Sequence, residues 1–368
     1  MKPDFDPIVK QFRFEGELIG AAPYGSGHIN DTYAAVFKKP DGGTRRYILQ
    51  RINHRVFKEP EKLMSNIERI TRHLKDKITA NHGDTERETL NVIPTKSGAG
   101  FLKTDEGDYW RGYVFIERAR TYDIVENRDH FYNAGRAFGK FQKLLSDFPA
   151  GTLFETIPDF HDTRKRYEAF AEAVDRDVAK RAWNVRDEIG FIRKRKNETA
   201  ILADMLESGG LPLRVTHNDT KFNNVMIDDK TGEGICVIDL DTVMPGLSLY
   251  DYGDSIRFGA NPAPEDEKDL SKVYMSVDMF EAFTGGFLAE ARDFLTPAEL
   301  ECLPFSARLM TLECGIRFLT DYLNGDVYFK VHREGQNLDR CRTQLRMVED
   351  MERKFDIMKK IVKKELGL

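Results

Sequence analysis

Cysteine is scarce in this chain, with four residues among 368. No two of them form a C-x-x-C pair, and no histidine stands near them at the spacing typical of zinc ligands. This absence excludes a dense disulfide framework and a structural zinc finger. We therefore expect buried free thiols at Cys236, Cys302, Cys314 and Cys341.

Long hydrophobic runs and an excess of basic residues are also absent. No segment reaches the roughly 20 apolar residues of a membrane-spanning helix, and MKPDFDPIVKQFRFEGE at the start has no apolar signal-peptide core. A net charge of -5 lacks the basic excess of nucleic-acid-binding proteins. We expect a cytoplasmic protein without a membrane or nucleic-acid partner, and no feature indicates a protein partner.

The length and the hydrophobic pattern predict two domains. A chain of 368 residues, 40% of them hydrophobic, exceeds what one core usually holds. Strand-like runs dominate the first third, including NDTYAAVFKK and RRYILQRIN, which are joined by a Pro-Asp-Gly-Gly turn. We predict an α+β fold with a small antiparallel β-lobe with one helix over residues 1–119 and a larger, mainly helical lobe over 120–368.

Helical periodicity defines the remaining elements. After Pro60, apolar residues recur on one stripe of a single helix, at Leu63, Ile67, Ile70, Leu74 and Ile78. From about residue 129 the helical period continues, for example in HFYNAGRAFGKFQKLLSDF and RDEIGFIRKRKNETAILADML. Short β-like runs such as RVTHND, NVMID and GICVIDLD interrupt this pattern.

One of these interruptions, VTHNDTKFNNVMID, places many polar side chains between two apolar runs. It contains His217-x-Asp219-x-x-x-x-Asn224, and I-D-L-D further along supplies Asp239 and Asp241. Mg²⁺ prefers carboxylate oxygens and substrate phosphates, and a phosphoryl acceptor needs a carboxylate beside its hydroxyl. The pattern favours a loop that faces ATP. A polar turn followed by an ordinary acidic strand end is the alternative.

This set of residues resembles the catalytic motifs of the kinase-like phosphotransferases, the family that includes aminoglycoside and choline kinases. The resemblance implies a bilobal protein-kinase-like fold, ATP as phosphoryl donor and Mg²⁺ as cofactor. It implies that Asp219 is the catalytic aspartate and that Asn224 and Asp239 bind the metal. His217 is expected to brace the loop rather than act as a base. Lys221 either reaches the γ-phosphate or lies in solvent.

Gly25, Ser26 and Gly27 lie between the first two predicted strands, where this family has a phosphate-covering loop. Glycines allow backbone N–H groups to approach phosphate oxygens closely, since no Cβ obstructs them. A simple G-S-G hairpin turn is the alternative. The position in the β-lobe favours nucleotide binding.

The third strand departs from the family, which carries a lysine or arginine there to pair with the nucleotide phosphates. Gln50 stands at the expected register, with Arg51 beside it on the opposite face. Either a bulge turns Arg51 toward the phosphates, or Gln50 acts together with another cation. Glu68 on the following helix is a candidate partner. Phe115 and Glu117 occupy the hinge position, where backbone groups hold adenine in this family, although a plain buried strand is the alternative.

Over nearly its whole length the chain most resembles the N-acetylhexosamine 1-kinase branch, in GSGHINDTY, LQRIN, HNDTKFNNVM, IDLDTVMPG and RFLTDYLNGDVYF. The resemblance implies that His28, Arg317 and Tyr328 contact the sugar and that Asp219 meets its reacting hydroxyl. From spacing alone, Arg317 and Asp321 are also compatible with a surface ion pair. Asn324-Gly325 ends the helix and would allow Tyr328 to return beside Arg317.

Leu249-Tyr250-Asp251-Tyr252-Gly253-Asp254 follows the second acidic motif. In the family an aspartate here braces the catalytic loop, and Asp251 fits this register better than Asp254. An N-cap of the next helix is the alternative for Asp251.

Together these residues predict an ATP- and Mg²⁺-dependent kinase that phosphorylates the anomeric hydroxyl of N-acetylglucosamine or N-acetylgalactosamine. Another small-molecule kinase of the same family, acting on an amino alcohol, an aminoglycoside or homoserine, is the alternative. A nucleotide-binding regulator without turnover is a third possibility, motivated by the missing lysine.

Overall fold

A computed structural model describes residues 4–25, 29–125 and 127–368. The strands are β1 Glu17–Pro23, β2 Asp31–Lys38, β3 Thr44–Ile52, β4 Val92–Ile93, β5 Leu102–Lys103, β6 Tyr109–Val114, β7 Ala119–Arg120, β8 Arg214–Thr216, β9 Val225–Asp228, β10 Gly234–Val237 and β11 Met244–Gly246. The helices are α1 Asp6–Val9, α2 Pro60–Ala80, α3 Arg128–Leu144, α4 Thr163–Arg176, α5 Arg186–Lys194, α6 Ile201–Glu207, α7 Ser248–Gly259, α8 Val277–Ala291, α9 Pro297–Leu323, α10 Gln336–Arg353 and α11 Phe355–Leu366.

The described residues form two compact units. The N-terminal unit draws on the ranges 1–123, 152–157 and 225–244, and the C-terminal unit on 124–151, 158–224 and 245–368. The segments 152–157 and 225–244 pack with the N-terminal unit, although they lie beyond the boundary at residue 119 that we expect from sequence. Asp239 therefore belongs to the N-terminal unit, whereas Asp219 and Asn224 belong to the C-terminal unit.

An antiparallel sheet of six strands forms the body of the N-terminal unit. Its order is β1-β2-β3-β6-β4, and β5 also pairs with β6. The β2–β3 turn closes with a 2.8 Å hydrogen bond from the N–H of Lys39 to the carbonyl of Gly43, and Gly42 has φ 87°, which glycine adopts without strain. Gln50 pairs with Thr32 on β2 and with Arg111 on β6, so all three side chains share one face. A smaller sheet has the order β10-β9-β7.

Helix α2 packs with its predicted stripe inward. Leu63, Ile67, Ile70, Leu74 and Ile78 are each at most 5% exposed. The helix begins at a proline in its first turn, where the missing N–H leaves no hydrogen bond unmade. The 3.6-residue period of the sequence is thus confirmed as the core-facing side of this helix.

Helices build the C-terminal unit, and two of them cross at very short distance. A Cβ on Gly135 of α3 would lie 2.4 Å from the carbonyl oxygen of Phe283 on α8. A Cβ on Gly286 of α8 would lie 2.0 Å from the carbonyl oxygen of Tyr132 on α3. Only glycine allows this close approach of α3 and α8. The approach fixes α3, which packs against the loop of the next subsection.

One predicted helical segment is interrupted in the structure. RDEIGFIRKRKNETAILADML forms α5, a 3₁₀ turn over 196–198 and α6, and is not continuous. The hydroxyl of Thr199 donates to the carbonyl of Lys196 at 2.7 Å. Such a local side-chain bond competes with helical hydrogen bonding, which explains the break.

All four cysteines are free. Cys236 and Cys341 are buried as expected, whereas Cys302 and Cys314 are only partly buried, which corrects the expectation for these two. Cys314 nevertheless packs against the hydrophobic cluster of the C-terminal unit.

An antiparallel-sheet unit with one long helix, together with a larger helical unit, confirms the predicted α+β class. Within the described ranges, no helix combines the length and the apolar character needed to cross a bilayer.

Candidate active site

The loop of residues 217–224, which follows β8, is fixed from beneath by Asp251 on α7. The two carboxylate oxygens accept from the backbone N–H groups of His217 at 2.9 Å and Asn218 at 2.8 Å, and Gln142 Nε2 adds a third bond at 2.8 Å. Asn218 has φ 65°, a left-handed conformation that asparagine tolerates. The brace predicted for Asp251 is confirmed, and because α7 starts earlier, Asp251 is not its N-cap.

Asp219 is presented by this loop with a side chain that is 27% exposed. Lys221 Nζ lies 2.8 Å from Asp219 Oδ1, so the lysine is paired with this carboxylate rather than lying alone in solvent. Asn224 Nδ2 donates to the carbonyl oxygen of Asp219 at 2.8 Å. This bond orients the amide of Asn224, and its Oδ1 is the end that suits a cation.

His217 lies completely buried in the C-terminal unit. The rings of Phe138 and Phe141 on α3 contact its imidazole edge at centroid distances of 5.9 and 6.0 Å. Its Nδ1 accepts from the N–H of Asp219 at 3.3 Å. The placement fits a histidine that holds the loop backbone rather than one that meets an acceptor.

The two aspartates of I-D-L-D point in different directions. Asp239 is exposed and has φ 60° at the end of the segment that follows β10. Asp241 is 3% exposed, and its Oδ2 accepts from Asn30 Nδ2 at 2.6 Å. The sharp turn at Asp239 therefore presents one carboxylate outward and keeps the other inside the N-terminal unit.

Arg111 on β6 is the buried cation beside Gln50. Its Nε and Nη2 donate to Gln50 Oε1 at 2.8 and 2.7 Å, and its Nη1 forms an ion pair with Asp241 Oδ1 at 2.5 Å. Burial alone lowers the pKa of Arg111, but the carboxylate of Asp241 outweighs it, and the pKa is raised. A positive charge is thus fixed next to the third strand at Gln50, and Asp239 also contributes to its electrostatic stabilisation.

Arg51 and Glu68 lie elsewhere. Strands β2, β3 and β6 pair residue for residue around Arg51, so no bulge turns it inward. Its guanidinium forms exposed ion pairs with Asp31 at 2.5 Å and Asp108 at 3.2 Å. Glu68 lies against Gly100, where an added Cβ would be 1.6 Å from Glu68 Oε1. The carboxylate that pairs with Arg111 is Asp241, which corrects the expected role of Glu68, and this arrangement favours Gln50 over Arg51.

The hinge side chains are engaged within the N-terminal unit. Phe115 is 7% exposed, with the guanidinium of Arg46 3.8 Å from its ring centroid and the ring of Tyr24 at 5.3 Å. Glu117 pairs with the same arginine, Arg46 Nε donating to its Oε1 at 2.9 Å. Contacts of Phe115 and Glu117 with a nucleotide would therefore come from their backbone atoms.

The glycine-rich loop is described only at its two ends. Gly25 has φ 82°, which favours glycine, and nothing lies within 4 Å of where its Cβ would be. The N–H of Tyr24 donates to the carbonyl of Thr32 at 2.9 Å and keeps the flanking strands paired. Ser26, Gly27 and His28, which we assign to nucleotide or sugar binding from sequence, lie outside the described residues.

At the end of α9, Asp321 fixes the turn of residues 326–329. It is 4% exposed and accepts from the N–H groups of Val327, Tyr328 and Phe329 at 2.9, 2.8 and 2.9 Å. The surface ion pair between Arg317 and Asp321 is therefore not formed, because this carboxylate is used internally. Tyr328 itself remains 66% exposed.

Arg317 lies among aromatic side chains beside this turn. Its guanidinium is 5.1 Å from the ring centroid of Phe160 and 5.6 Å from that of Phe329. Burial lowers the pKa of Arg317, but the nearby Glu313 and the side chain of Tyr328 are among the groups that raise it overall. Arg317 and Tyr328 are thus brought together, as the helix end at Asn324-Gly325 predicts.

Sequence reasoning missed Arg111, Asp241 as its partner, and Phe160. An arginine inside the apolar run YWRGYV is an unusual choice for a buried strand, and this was the available signal for Arg111. Phe160 carries no comparable signal, since its role depends on the distant α9.

Asn224 and Asp239 each offer an oxygen of the kind that Mg²⁺ prefers. In residues 4–25, 29–125 and 127–368, no group of three or more His, Cys, Asp or Glu side chains is placed to hold a metal. Mg²⁺ in phosphoryl-transfer enzymes commonly takes one or two protein ligands and completes its shell with phosphates and water. The amide oxygen of Asn224 in the C-terminal unit and the exposed carboxylate of Asp239 in the N-terminal unit are each suitable as such a ligand.

Solved structures with this fold cover almost the whole chain. An aminoglycoside phosphotransferase from Alicyclobacillus acidocaldarius is 12% identical, with a TM-score of 0.64 over 99% of this chain and 97% of that chain. A microcompartment-associated aminopropanol kinase is 15% identical, with a TM-score of 0.58 over 96% and 97%. Amicoumacin kinase in complex with AMP-PNP, Ca²⁺ and Ami is 13% identical, with a TM-score of 0.56 over 96% and 94%.

A family model matches the chain over most of its length, from residue 20 to residue 274. The match includes the glycine-rich loop, the 217–224 loop and both acidic motifs. By this match the chain belongs to the phosphotransferase enzyme family.

Proposed function

We propose that the protein transfers the γ-phosphoryl group of ATP to the anomeric hydroxyl of an N-acetylhexosamine, with Mg²⁺ as cofactor. The observation that carries the proposal is the loop braced by Asp251, which presents Asp219 with its carboxylate 27% exposed. Phosphoryl transfer requires positioning and charge neutralisation more than covalent chemistry. A rigid carboxylate at an accessible loop meets the first requirement.

Asp219 acts on the acceptor in this proposal. An anomeric hydroxyl is more acidic than an ordinary alcohol, so Asp219 needs only to orient it and to take its proton late in the transfer. Lys221 Nζ lies 2.8 Å from Asp219 Oδ1, and in this proposal its ammonium group also contacts the transferred phosphoryl group. Asn224, oriented by its bond to the Asp219 carbonyl, and Asp239 would hold the metal.

Bound Mg²⁺ would neutralise charge on the nucleotide phosphates. On the protein side, we assign the positive charge of the missing lysine to Arg111, which holds Gln50 and Asp241 in place. Backbone N–H groups of Gly25, Ser26 and Gly27 would cover the phosphates. The backbone at Phe115 and Glu117 would receive the base.

The acceptor region favours a sugar over a cationic substrate. Arg317 lies on Phe160 and Phe329, and the half-buried Arg166 donates to the Phe160 carbonyl at 3.1 and 2.8 Å. Two guanidinium groups would repel an amino alcohol or an aminoglycoside. A planar donor beside exposed Tyr328 suits an acetamido carbonyl and the C–H face of a sugar ring.

The alternatives differ in measurable ways. A kinase for amino alcohols shares the catalytic loop but needs acidic groups around the acceptor, where this chain has arginines. A regulator without turnover would not require Asp219, Asn224 and Asp239 together, and this chain carries all three.

The decisive experiment supplies ATP, Mg²⁺ and free sugars and follows the products by phosphorus NMR. We expect a sugar 1-phosphate, which couples to the anomeric proton, from N-acetylglucosamine or N-acetylgalactosamine. A methyl glycoside blocked at C1 is the matched control and should not react. A 6-phosphate product, or turnover of the methyl glycoside, would refute anomeric transfer and leave the kinase assignment standing.

A further inference from the structure

His161 connects the proposed acceptor region to the catalytic loop. It lies just before α4 and is 6% exposed. Its Nδ1 is 2.7 Å from Glu313 Oε1 on α9, and its Nε2 is 3.0 Å from the carbonyl oxygen of Asn218. Phe160, its neighbour in sequence, carries the guanidinium of Arg317 on its ring. No sequence motif marks this histidine.

Both groups that His161 meets are hydrogen-bond acceptors. A backbone carbonyl never donates, and Glu313 donates only if it is protonated. Burial raises the pKa of Glu313, but His161, Arg317 and a 2.6 Å bond from Thr163 Oγ1 lower it overall. Glu313 is therefore a carboxylate. Because the carbonyl oxygen of Asn218 can only accept, Nε2 of His161 is the donor in that contact.

We infer that His161 is a positioning residue whose Nε2–H group donates to the Asn218 carbonyl and holds it, and with it Asp219, in the catalytic geometry. The inference rests on the proposed role of Asp219 for its catalytic consequence, but the direction of the hydrogen bond follows from the carbonyl alone. Asp251 fixes the loop through its N–H groups, and His161 fixes it through a carbonyl. The loop backbone is thus held both at its N–H donors, by Asp251, and at a carbonyl acceptor, by His161.

Loss of the Asn218 contact would leave the loop held on its N–H side alone. Because Asp219 follows Asn218 directly, the step most affected is transfer to the acceptor. The affinity for MgATP should change much less.

Nitrogen NMR on protein with ¹⁵N-labelled histidine tests the direction of this hydrogen bond. The His161 signal is assigned by its absence in His161→Gln. We expect an N–H group at Nε2 of His161, because the carbonyl oxygen of Asn218 can only accept. A His161 signal without an N–H group at Nε2 would overturn the inference.

Kinetics test the positioning role. His161→Phe keeps the ring but has no donor, and we expect kcat to fall about tenfold or more with little change in KM for ATP. His161→Gln retains one N–H donor for the Asn218 carbonyl and should recover part of the loss. His82→Asn, at an exposed left-handed position remote from the loop, is the matched control.

The results distinguish a failure of the inference from a variant that does not fold and from a failure of the proposed function. An unchanged kcat in His161→Phe, or an equal rise in KM for ATP, would refute the positioning role. If His161→Phe does not fold, the His161→Gln kinetics and the NMR of the unaltered protein still decide. If sugars are not substrates, the NMR result stands, and kcat is measured with whichever acceptor is phosphorylated.

Discussion

The catalytic loop of residues 217–224 and the turn of residues 326–329 are held by the same kind of hydrogen bond but differ in the exposure of their side chains. In each case a buried aspartate of a helix accepts backbone N–H groups, Asp251 for the loop and Asp321 for the turn. In the loop the side chains of His217 and Asn218 are also buried, whereas Tyr328 in the turn is 66% exposed. The loop is fixed in backbone and side chains, and the turn in backbone alone.

This difference matches the tasks that we propose for the two segments. Chemistry at the loop tolerates little displacement of Asp219, because transfer depends on near-ideal positioning. Recognition at the turn needs exposed side chains on a main chain of fixed conformation. The following changes break one segment or the other, or extend the comparison to the N-terminal unit.

Removing the charge of Asp219 should have the largest effect. We expect Asp219→Asn to lower kcat about 10²- to 10⁴-fold while MgATP binds nearly as before, because the carboxylate serves the acceptor. Asp239→Asn should weaken MgATP binding as well, since its carboxylate is the proposed metal ligand. Isothermal titration with a non-hydrolysable ATP analogue measures this, and equal losses of affinity in both variants would contradict the division of roles.

Arg111 extends the comparison to the N-terminal unit, where a buried cation holds Gln50 and Asp241. Arg111→Met leaves Asp241 without its ion-pair partner and should cost about 3 to 5 kcal/mol in the free energy of unfolding. It should also raise KM for ATP.

Arg51→Met is the matched control for Arg111→Met. Its ion pairs with Asp31 and Asp108 are exposed, so the loss of stability should stay below about 1 kcal/mol and KM for ATP should not change. Urea denaturation and steady-state kinetics compare the two. A large rise in KM for Arg51→Met alone would return the phosphate-binding role to Arg51.

Arg317→Ala should raise KM for the sugar by an amount equivalent to about 1.5 to 3 kcal/mol, the range for one hydrogen bond to a charged group. The value of kcat should change less, because the loop is untouched. Tyr328→Phe keeps the ring and removes the hydroxyl, so it separates stacking from hydrogen bonding. A fall in kcat with unchanged KM for Arg317→Ala would place the arginine at the reacting centre instead.

The two bracing aspartates give the most direct test of the comparison. Asp251→Asn turns an NH₂ group toward a buried N–H and should cost about 1 to 3 kcal/mol in unfolding free energy together with a loss of kcat. Asp321→Asn likewise turns an NH₂ group toward main-chain N–H groups and should cost about 1 to 3 kcal/mol, but it should mainly raise KM for the sugar. Similar losses of kcat in both variants would mean that the two segments are not functionally distinct.

Sequence reasoning succeeds where the information is local. The stripe from Leu63 to Ile78 is read from a 3.6-residue period, and the spacing of Asp219 and Asn224 is contained in one loop. Asp251 could be assigned because its register resembles that of the bracing aspartate in the family. These features depend on few residues and short separations.

The contacts that sequence reasoning missed join residues that are far apart in the sequence. Arg111 and Gln50 meet only because β3 and β6 pair in one register, although 61 residues separate them. His161 and Asn218 are 57 residues apart, and Glu313 lies 152 residues from His161. No periodicity encodes such contacts, and the membership of 225–244 in the N-terminal unit is of the same kind.

The bonds that Asp321 makes to the 326–329 turn involve only main-chain N–H groups. The side chains at positions 327 and 328 can therefore be exchanged without removing the support of the turn. A library randomised at these two positions would vary the acceptor surface while keeping the chemistry intact. Positions 327 and 328 are therefore suitable sites for changing the substrate preference in the laboratory.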